Sequence, residues 1–288
     1  MEKHSRTSTS TGTSASTMSG TRFAVGVGGV LCVALAACSA PPRKDHAPVP
    51  TLAAPSVRAA TPFAGTPSVG VLIGADGDHF CTASVVASPK GNVIATAAHC
   101  LQDAGGEPDH RPGELEFAPG FSEKGRGKGQ GSSPYGRWKV SSVHLDDRWT
   151  DNADDADVAD YAFLTLAPDA RGRQAQQVVG AVTPDWSSGS ERRVTVVGYP
   201  NPDDHPSNRP IACTTDARPD PELPQTLLIE CAGFWDGTSG GPWLADYRDA
   251  GDQGRLIGVL SGGDTDREST AALFDGRARS LYERAAAD

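Results

Sequence analysis

Val93-Ile94-Ala95-Thr96-Ala97-Ala98-His99-Cys100 begins as a short apolar run and ends on an imidazole beside a thiol. Its first five residues are too few for a stable helix and rich in strand formers, so Val93–Ala97 reads as a strand. The pattern recurs along the chain at Val69–Ile73, Phe80–Ala87, Trp138–His144, Tyr161–Leu166, Val194–Gly198, Thr226–Glu230 and Arg255–Leu260. Gly, Pro, Asp and Asn clusters separate these runs. No amphipathic helix interrupts them before Gly276–Ala287, where Ala278, Leu281, Tyr282 and Ala285 keep helical spacing. Many short strands with one terminal helix predict an all-β sandwich or barrel protein.

Composition agrees. The 288 residues are 38% hydrophobic and 6% aromatic, which excludes both a multi-span membrane protein and wholesale disorder. High Gly (33) and Pro (22) favour short elements joined by turns. A net charge of −10 argues against a nucleic-acid partner, because neutralising phosphates needs a basic face.

The first 37 residues read as an address. Arg22 precedes the uncharged run Phe23–Ala37, which as a helix spans roughly 22 Å, short of the ~30 Å bilayer core. A positive flank, a short apolar run and a small-residue exit describe a secretory signal peptide. The exit, Leu35-Ala36-Ala37-Cys38-Ser39, resembles the bacterial lipoprotein signal. That resemblance implies a diacylglycerol on Cys38, an anchor on the outer face of the cell membrane and cleavage before Cys38. Plain secretion is the alternative. Residues 38–63 hold six prolines from Pro41 to Pro62 and read as a semi-extended linker, leaving 64–288 as the folded domain.

Cys81, Cys100, Cys213 and Cys231 remain in that domain. In an exported protein they suggest two disulfides, and three pairings are open; Cys81–Cys100 with Cys213–Cys231 is the sequence-local one. No CxxC, HExxH or spaced His/Cys cluster is present, so neither a metal nor another cofactor is expected. The Gly-rich basic stretch Pro119–Arg137 lacks the Lys-Ser/Thr ending of a phosphate-binding loop and reads as a solvated insertion. Asp146–Asp160, with seven acids, lacks the Gly and Glu positions of a calcium loop and reads as a solvated acidic loop.

Three segments carry chemistry together. Thr96-Ala97-Ala98-His99 ends a strand on a base, Asp157-Val158-Ala159-Asp160-Tyr161 leads an acid into another, and Gly237-Thr238-Ser239-Gly240-Gly241-Pro242 sets a hydroxyl among glycines. Acyl transfer by Ser needs a base for its proton, an acid to fix the base's tautomer, and N–H donors for the oxyanion. Glycines around Ser239 allow the N–H groups of Gly237 and Ser239 to point at one spot. Singly, each segment has a bland reading as a structural His, a turn or a strand-leading Asp. All three in one exported β-rich chain point to catalysis.

On those strings, Thr-Ala-Ala-His-Cys and Gly-x-Ser-Gly-Gly-Pro, residues 64–285 resemble the chymotrypsin/trypsin superfamily, in its bacterial branch near the glutamyl endopeptidases. The resemblance implies two packed six-stranded antiparallel β-barrels with the site between them. It implies His99 as general base, Asp160 as orienting acid (with Asp157 as runner-up), Ser239 as nucleophile, and a Cys81–Cys100 disulfide. Thr238 replaces the Asp that pairs with a new N-terminal amine in the digestive enzymes, so no zymogen cleavage is expected. Gly233 falls at the floor of the primary pocket, where the acid that selects Lys or Arg is missing. Leu260 replaces the His of the glutamyl endopeptidases. Phe234 and Leu260 would border an apolar or small pocket, and Ser261, Gly262 and Gly263 would pair with the substrate backbone. The implied activity is a monomeric serine endopeptidase acting on polypeptides. A silent peptide- or partner-binding protein and a serine esterase are the alternatives.

Overall fold

In the computed structural model, residues 57–123, 131–187, 191–202, 209–263, 265 and 267–288 are described. The expected signal peptide, Cys38 and the linker up to residue 56 lie outside the described residues. So do Lys124, Arg126 and Lys128 of the basic stretch, and Asp264.

Six antiparallel strands close a first barrel in the order Ala162–Leu166, Val93–Thr96, His79–Val86, Val69–Ile73, Glu116–Pro119 and Trp138–Leu145, the last pairing back to the first. Alternation builds two apolar layers from these strands. Leu72, Ile94 and Leu164 fill the barrel with Phe117 and Trp138. Their neighbours Val71, Ala95 and Phe163 face outward into a second cluster. That cluster also takes Val197, Tyr199, Leu244 and Val259 from the other barrel, so one apolar layer joins the two. Each neighbouring side chain therefore points into a different core.

The second ring runs Arg192–Gly198, Ile211–Pro219, Leu227–Ala232, Glu268–Leu273, Arg255–Gly262 and Pro242–Ala245, returning to Arg192–Gly198. The fold is thus two closed six-stranded antiparallel barrels. Disulfides join Cys81 to Cys100 and Cys213 to Cys231, one in each barrel.

The terminal helix covers Gly276–Ala287. Asp275 caps it by accepting from the N–H groups of Arg277 and Ala278 at 2.9 and 2.8 Å. Ala278, Leu281 and Ala285 are buried against the inter-barrel layer, as their spacing requires.

Four barrel strands are not evident as apolar runs: Glu116–Pro119, Ile211–Pro219, Pro242–Ala245 and Glu268–Leu273. They are short, or carry Pro, Asp, Arg, Ser and Ala, and pairing within the closed sheets overrides that weak local preference. The end of the expected linker is also paired. Arg58–Ala59 runs parallel to Cys231–Ala232, and Thr61–Pro62 lies antiparallel to Ile211–Ala212. The acidic stretch is only partly solvated. Asp146 is buried, caps the short helix Asp147–Thr150, and binds Arg148 and the Tyr161 hydroxyl. That environment holds the Asp146 carboxyl well below the usual range: burial alone would raise it, but the Arg148 and Tyr161 hydrogen bonds outweigh burial. No helix among the described residues is long and apolar enough to cross a membrane.

Candidate active site

Strand pairing brings the first two residues together. Thr96 lies opposite Ala162 in an antiparallel pair, so the chain leaving the strand at Ala97 runs beside the chain entering at Tyr161. Three residues past Thr96 and two before Ala162 stand His99 and Asp160. His99 Nδ1 is 2.7 Å from Asp160 Oδ2, and the His99 backbone N–H donates to Asp160 Oδ1 at 2.8 Å. Asp160 is 2% exposed, whereas Asp157 is exposed and makes no such contact.

A carboxylate facing Nδ1 accepts a hydrogen bond from Nδ1–H and holds the proton on that nitrogen, which leaves the Nε2 lone pair available as a base. The imidazole is perturbed accordingly. Burial pushes its pKa down, but the Asp160 hydrogen bond and the charges of Asp160 and Asp103 prevail and raise it above the ordinary value. Nature supplies a third ligand for Asp160 that the sequence does not advertise: Ser261 Oγ donates to Oδ2 at 2.5 Å. The buried carboxylate thus has three donors.

Ser239 sits in the loop between Leu227–Ala232 and Pro242–Ala245, and lines one cavity with His99, Gly237 and the Cys81–Cys100 pair. Glycine is required on either side of it. Gly237 has φ +90°, and a Cβ there would fall 2.8 Å from the Tyr199 carbonyl oxygen and the Asn201 nitrogen. Gly240 has φ +78°, and a Cβ there would run into Thr82 and Thr96 of the first barrel. The loop is therefore pressed against that barrel. The N–H groups of Gly237 and Ser239 are bonded to no backbone carbonyl among the described residues.

Thr82, next to Cys81, is the residue that holds this loop. Its N–H donates to the Ser239 carbonyl at 2.8 Å, and its Oγ1 donates to the Gly237 carbonyl at 2.9 Å while accepting from the Tyr199 N–H at 2.9 Å. Thr96 Oγ1 donates in turn to the Thr82 carbonyl at 2.8 Å. No motif marks Thr82 in the sequence; its role comes from where the two barrels touch.

Thr238 is buried and satisfied locally, its Oγ1 donating to the Trp235 carbonyl at 2.7 Å. Gly233, with φ +104°, lies against Ala60 of the N-terminal segment. Phe234 and Ala60 pack on the interior of the second barrel with Leu260, which is 3% exposed. Ser261 turns to Asp160, while Gly263 borders a separate groove with Ser261. His99 and the sulfurs of Cys81 and Cys100 lie within 4.8 Å of one another, but sulfurs joined in a disulfide offer no thiolate to a metal.

Residues 70–259 match the trypsin-like peptidase domain family. The chain belongs to that family. This trypsin-like peptidase is a serine-type endopeptidase. Among solved structures it is similar to the protease Anisep from Arthrobacter nicotinovorans, with TM-score 0.68 and 22% identity over 80% of this chain and 100% of that one. A thermostable serine protease, AL20, from an extremophilic microorganism gives TM-score 0.66 and 26% identity, covering 77% of this chain and 98% of that one. A Glu endopeptidase gives TM-score 0.62 and 15% identity, covering 80% and 98%. No curated protein matches this chain.

Proposed function

We propose that Ser239, His99 and Asp160 form the catalytic triad of an extracytoplasmic endopeptidase working through an acyl-enzyme. The observation that carries this reading is the His99 Nδ1 to Asp160 Oδ2 contact of 2.7 Å at the cavity that Ser239 lines. His99 Nε2 takes the Ser239 hydroxyl proton as Oγ attacks the peptide carbonyl. The carbonyl oxygen, now anionic, is stabilised by the N–H groups of Gly237 and Ser239. Protonated His99, steadied by the buried Asp160 carboxylate, then gives its proton to the leaving amine, and the C–N bond breaks. Water, activated by His99, hydrolyses the ester and frees Ser239.

Thr238 supports activity without zymogen cleavage, since its side chain already has a backbone partner and offers no charge for a new amine. Gly233, Phe234 and Leu260 support an apolar or small residue before the cut bond. The leader and Cys38 support a lipid anchor outside the cell membrane for a monomeric enzyme, with secretion as the alternative.

A fluorophosphonate probe tests the reading. It should label the wild type and spare both Ser239→Ala and His99→Ala; an unlabelled wild type, or a labelled Ser239→Ala, removes the triad. An esterase on the same machinery would label too, but turn over esters and no peptide. The silent binding protein would stay unlabelled.

A further inference from the structure

Carboxylates border both flanks of the proposed catalytic centre. The cavity that holds His99 and Ser239 is lined by Asp76, Asp78, Asp109 and Asp236. Beyond Ser261 a separate groove is lined by Asp157, Asp220 and Glu222, together with Gly263. Although the chain carries 26 Lys and Arg, none lines either space among the described residues. Elsewhere acids meet arginines, as in Arg137–Glu116, Arg148–Asp146, Arg173–Asp169 and Arg218–Glu230. At the cleft no described cation compensates them.

We propose that the cleft selects polypeptides carrying Lys or Arg on both flanks of the cut site, beyond the apolar or small residue that the pocket takes, so that the substrates are cationic proteins. This rests on the endopeptidase reading and extends it to a substrate class. If Ser261–Gly263 pairs with the substrate backbone, the groove beside it receives residues before the cut bond. The cavity beside His99, which protonates the leaving amine, then receives residues after it.

Chemistry at the leaving side matches a cation in a second way. Asn201 lines the same cavity, and its Oδ1, set against Gly237, is a buried acceptor with no hydrogen-bond partner among the described residues. Lys and Arg bring donors and no acceptor, so they complement a wall of carboxylates with an unsatisfied amide acceptor just behind it. Phe80 and His110 stack at 4.6 Å in this cavity and give the aliphatic stem of a long side chain an apolar floor. Selection by charge then lies in the flanks, because Gly233 supplies none at the pocket floor. Asp157, read from the sequence as a possible catalytic acid, becomes a recognition residue.

Paired quenched peptides with one shared cut site and either Lys or Glu flanks provide the test. The wild type should cleave the Lys peptide at least about tenfold better in kcat/KM at low salt, since several exposed charges each contribute modestly. At about 1 M salt the ratio should collapse. The variant Asp76→Asn/Asp78→Asn/Asp109→Asn should reduce the ratio for Lys placed after the cut bond. Asp220→Asn/Glu222→Gln should reduce it for Lys placed before. A control that changes three charges at residues lining neither space, Glu114→Gln/Asp216→Asn/Glu283→Gln, should leave the ratio where it was. Equal cleavage of both peptides, or an equal loss of selectivity in the control, overturns the proposal. Anisotropy of labelled peptides on Ser239→Ala separates recognition from chemistry. If the wild type cleaves nothing but Ser239→Ala still prefers the Lys peptide, the endopeptidase reading fails and the recognition stands. If the enzyme is active and indifferent to charge, recognition fails alone; absence of both activity and preference overturns both.

Discussion

Ser261 Oγ lies 2.5 Å from Asp160 Oδ2, the same oxygen that faces His99 Nδ1 at 2.7 Å. Ser261 lies on a strand of the second barrel and Asp160 two residues before a strand of the first, so the hydrogen bond fixes the carboxylate across the interface between them. Ser261→Ala should free the carboxylate to rotate and misaim the imidazole. We expect kcat to fall about tenfold, equivalent to roughly 1.4 kcal/mol in the barrier, with KM little changed. Asp160→Asn, which reverses the tautomer preference, should fall by about 10⁴. Steady-state kinetics beside thermal melts check this, and an unchanged kcat in Ser261→Ala would show that the hydrogen bond positions nothing.

The raised His99 pKa fixes the sign of the pH dependence. A base must be neutral, so kcat/KM should fall as pH drops through the folded-state value, with its acid midpoint above that of an ordinary imidazole. Asp103→Asn, which removes one of the charges that raise it, should move the midpoint to lower pH. Stability runs the other way. The His99–Asp160 pair contributes fully below the unfolded-state value of about 6.5 and loses its contribution as pH rises through the folded one. A kcat/KM profile whose midpoint moves upward in Asp103→Asn would contradict the assignment.

Thr82 links the nucleophile loop to the first barrel through both its backbone and its hydroxyl. Thr82→Val keeps the shape but strands the buried Tyr199 N–H and the Gly237 carbonyl. Each unsatisfied buried group costs about 1–3 kcal/mol, so about 3 kcal/mol of stability should go. Because Gly237 is a proposed oxyanion donor, kcat should fall as well. Thr82→Ser should restore most of both, as it keeps the hydroxyl. Melts and kinetics on the pair of variants check this; a Thr82→Ser variant as poor as Thr82→Val would point to the lost methyl instead.

Strands with both residue type and pattern in their favour, such as Val69–Ile73 and Val93–Thr96, are evident from sequence because local preference and burial agree. Pro242–Ala245 is not, since a Pro and three further residues say little until the barrel closes around them. At the site, His99 and Ser239 are legible because their flanking strings are specific. Asp160 could be preferred over Asp157 only from its place before an apolar run, which the strand pairing with Thr96 turns into proximity. Thr82 and the second role of Ser261 are invisible in sequence. Both act across the interface between two barrels, and contacts between residues 101 or 155 positions apart leave no local pattern.

Residues 58–62 bear on where the domain begins. Ala60 N–H donates to the Ala232 carbonyl at 2.7 Å, Phe63 N–H donates to the Pro210 carbonyl at 2.9 Å, and Phe63 meets the Tyr247 ring edge-on at 6.1 Å. Ala60 also lies against Gly233, at the proposed pocket floor. A chain started at Ala64 loses all of these, whereas one started at Val57 keeps them. Hydrogen bonds at about 1 kcal/mol each, with the lost packing, make a deficit of about 3 kcal/mol, or a Tm lower by roughly 6–12 °C. With the wall behind Gly233 gone, KM for peptides with an apolar residue before the cut bond should rise more than kcat falls. Calorimetry and kinetics on the two chains decide it: equal Tm and equal KM would place the start of the functional domain at residue 64 and make the N-terminal strands dispensable.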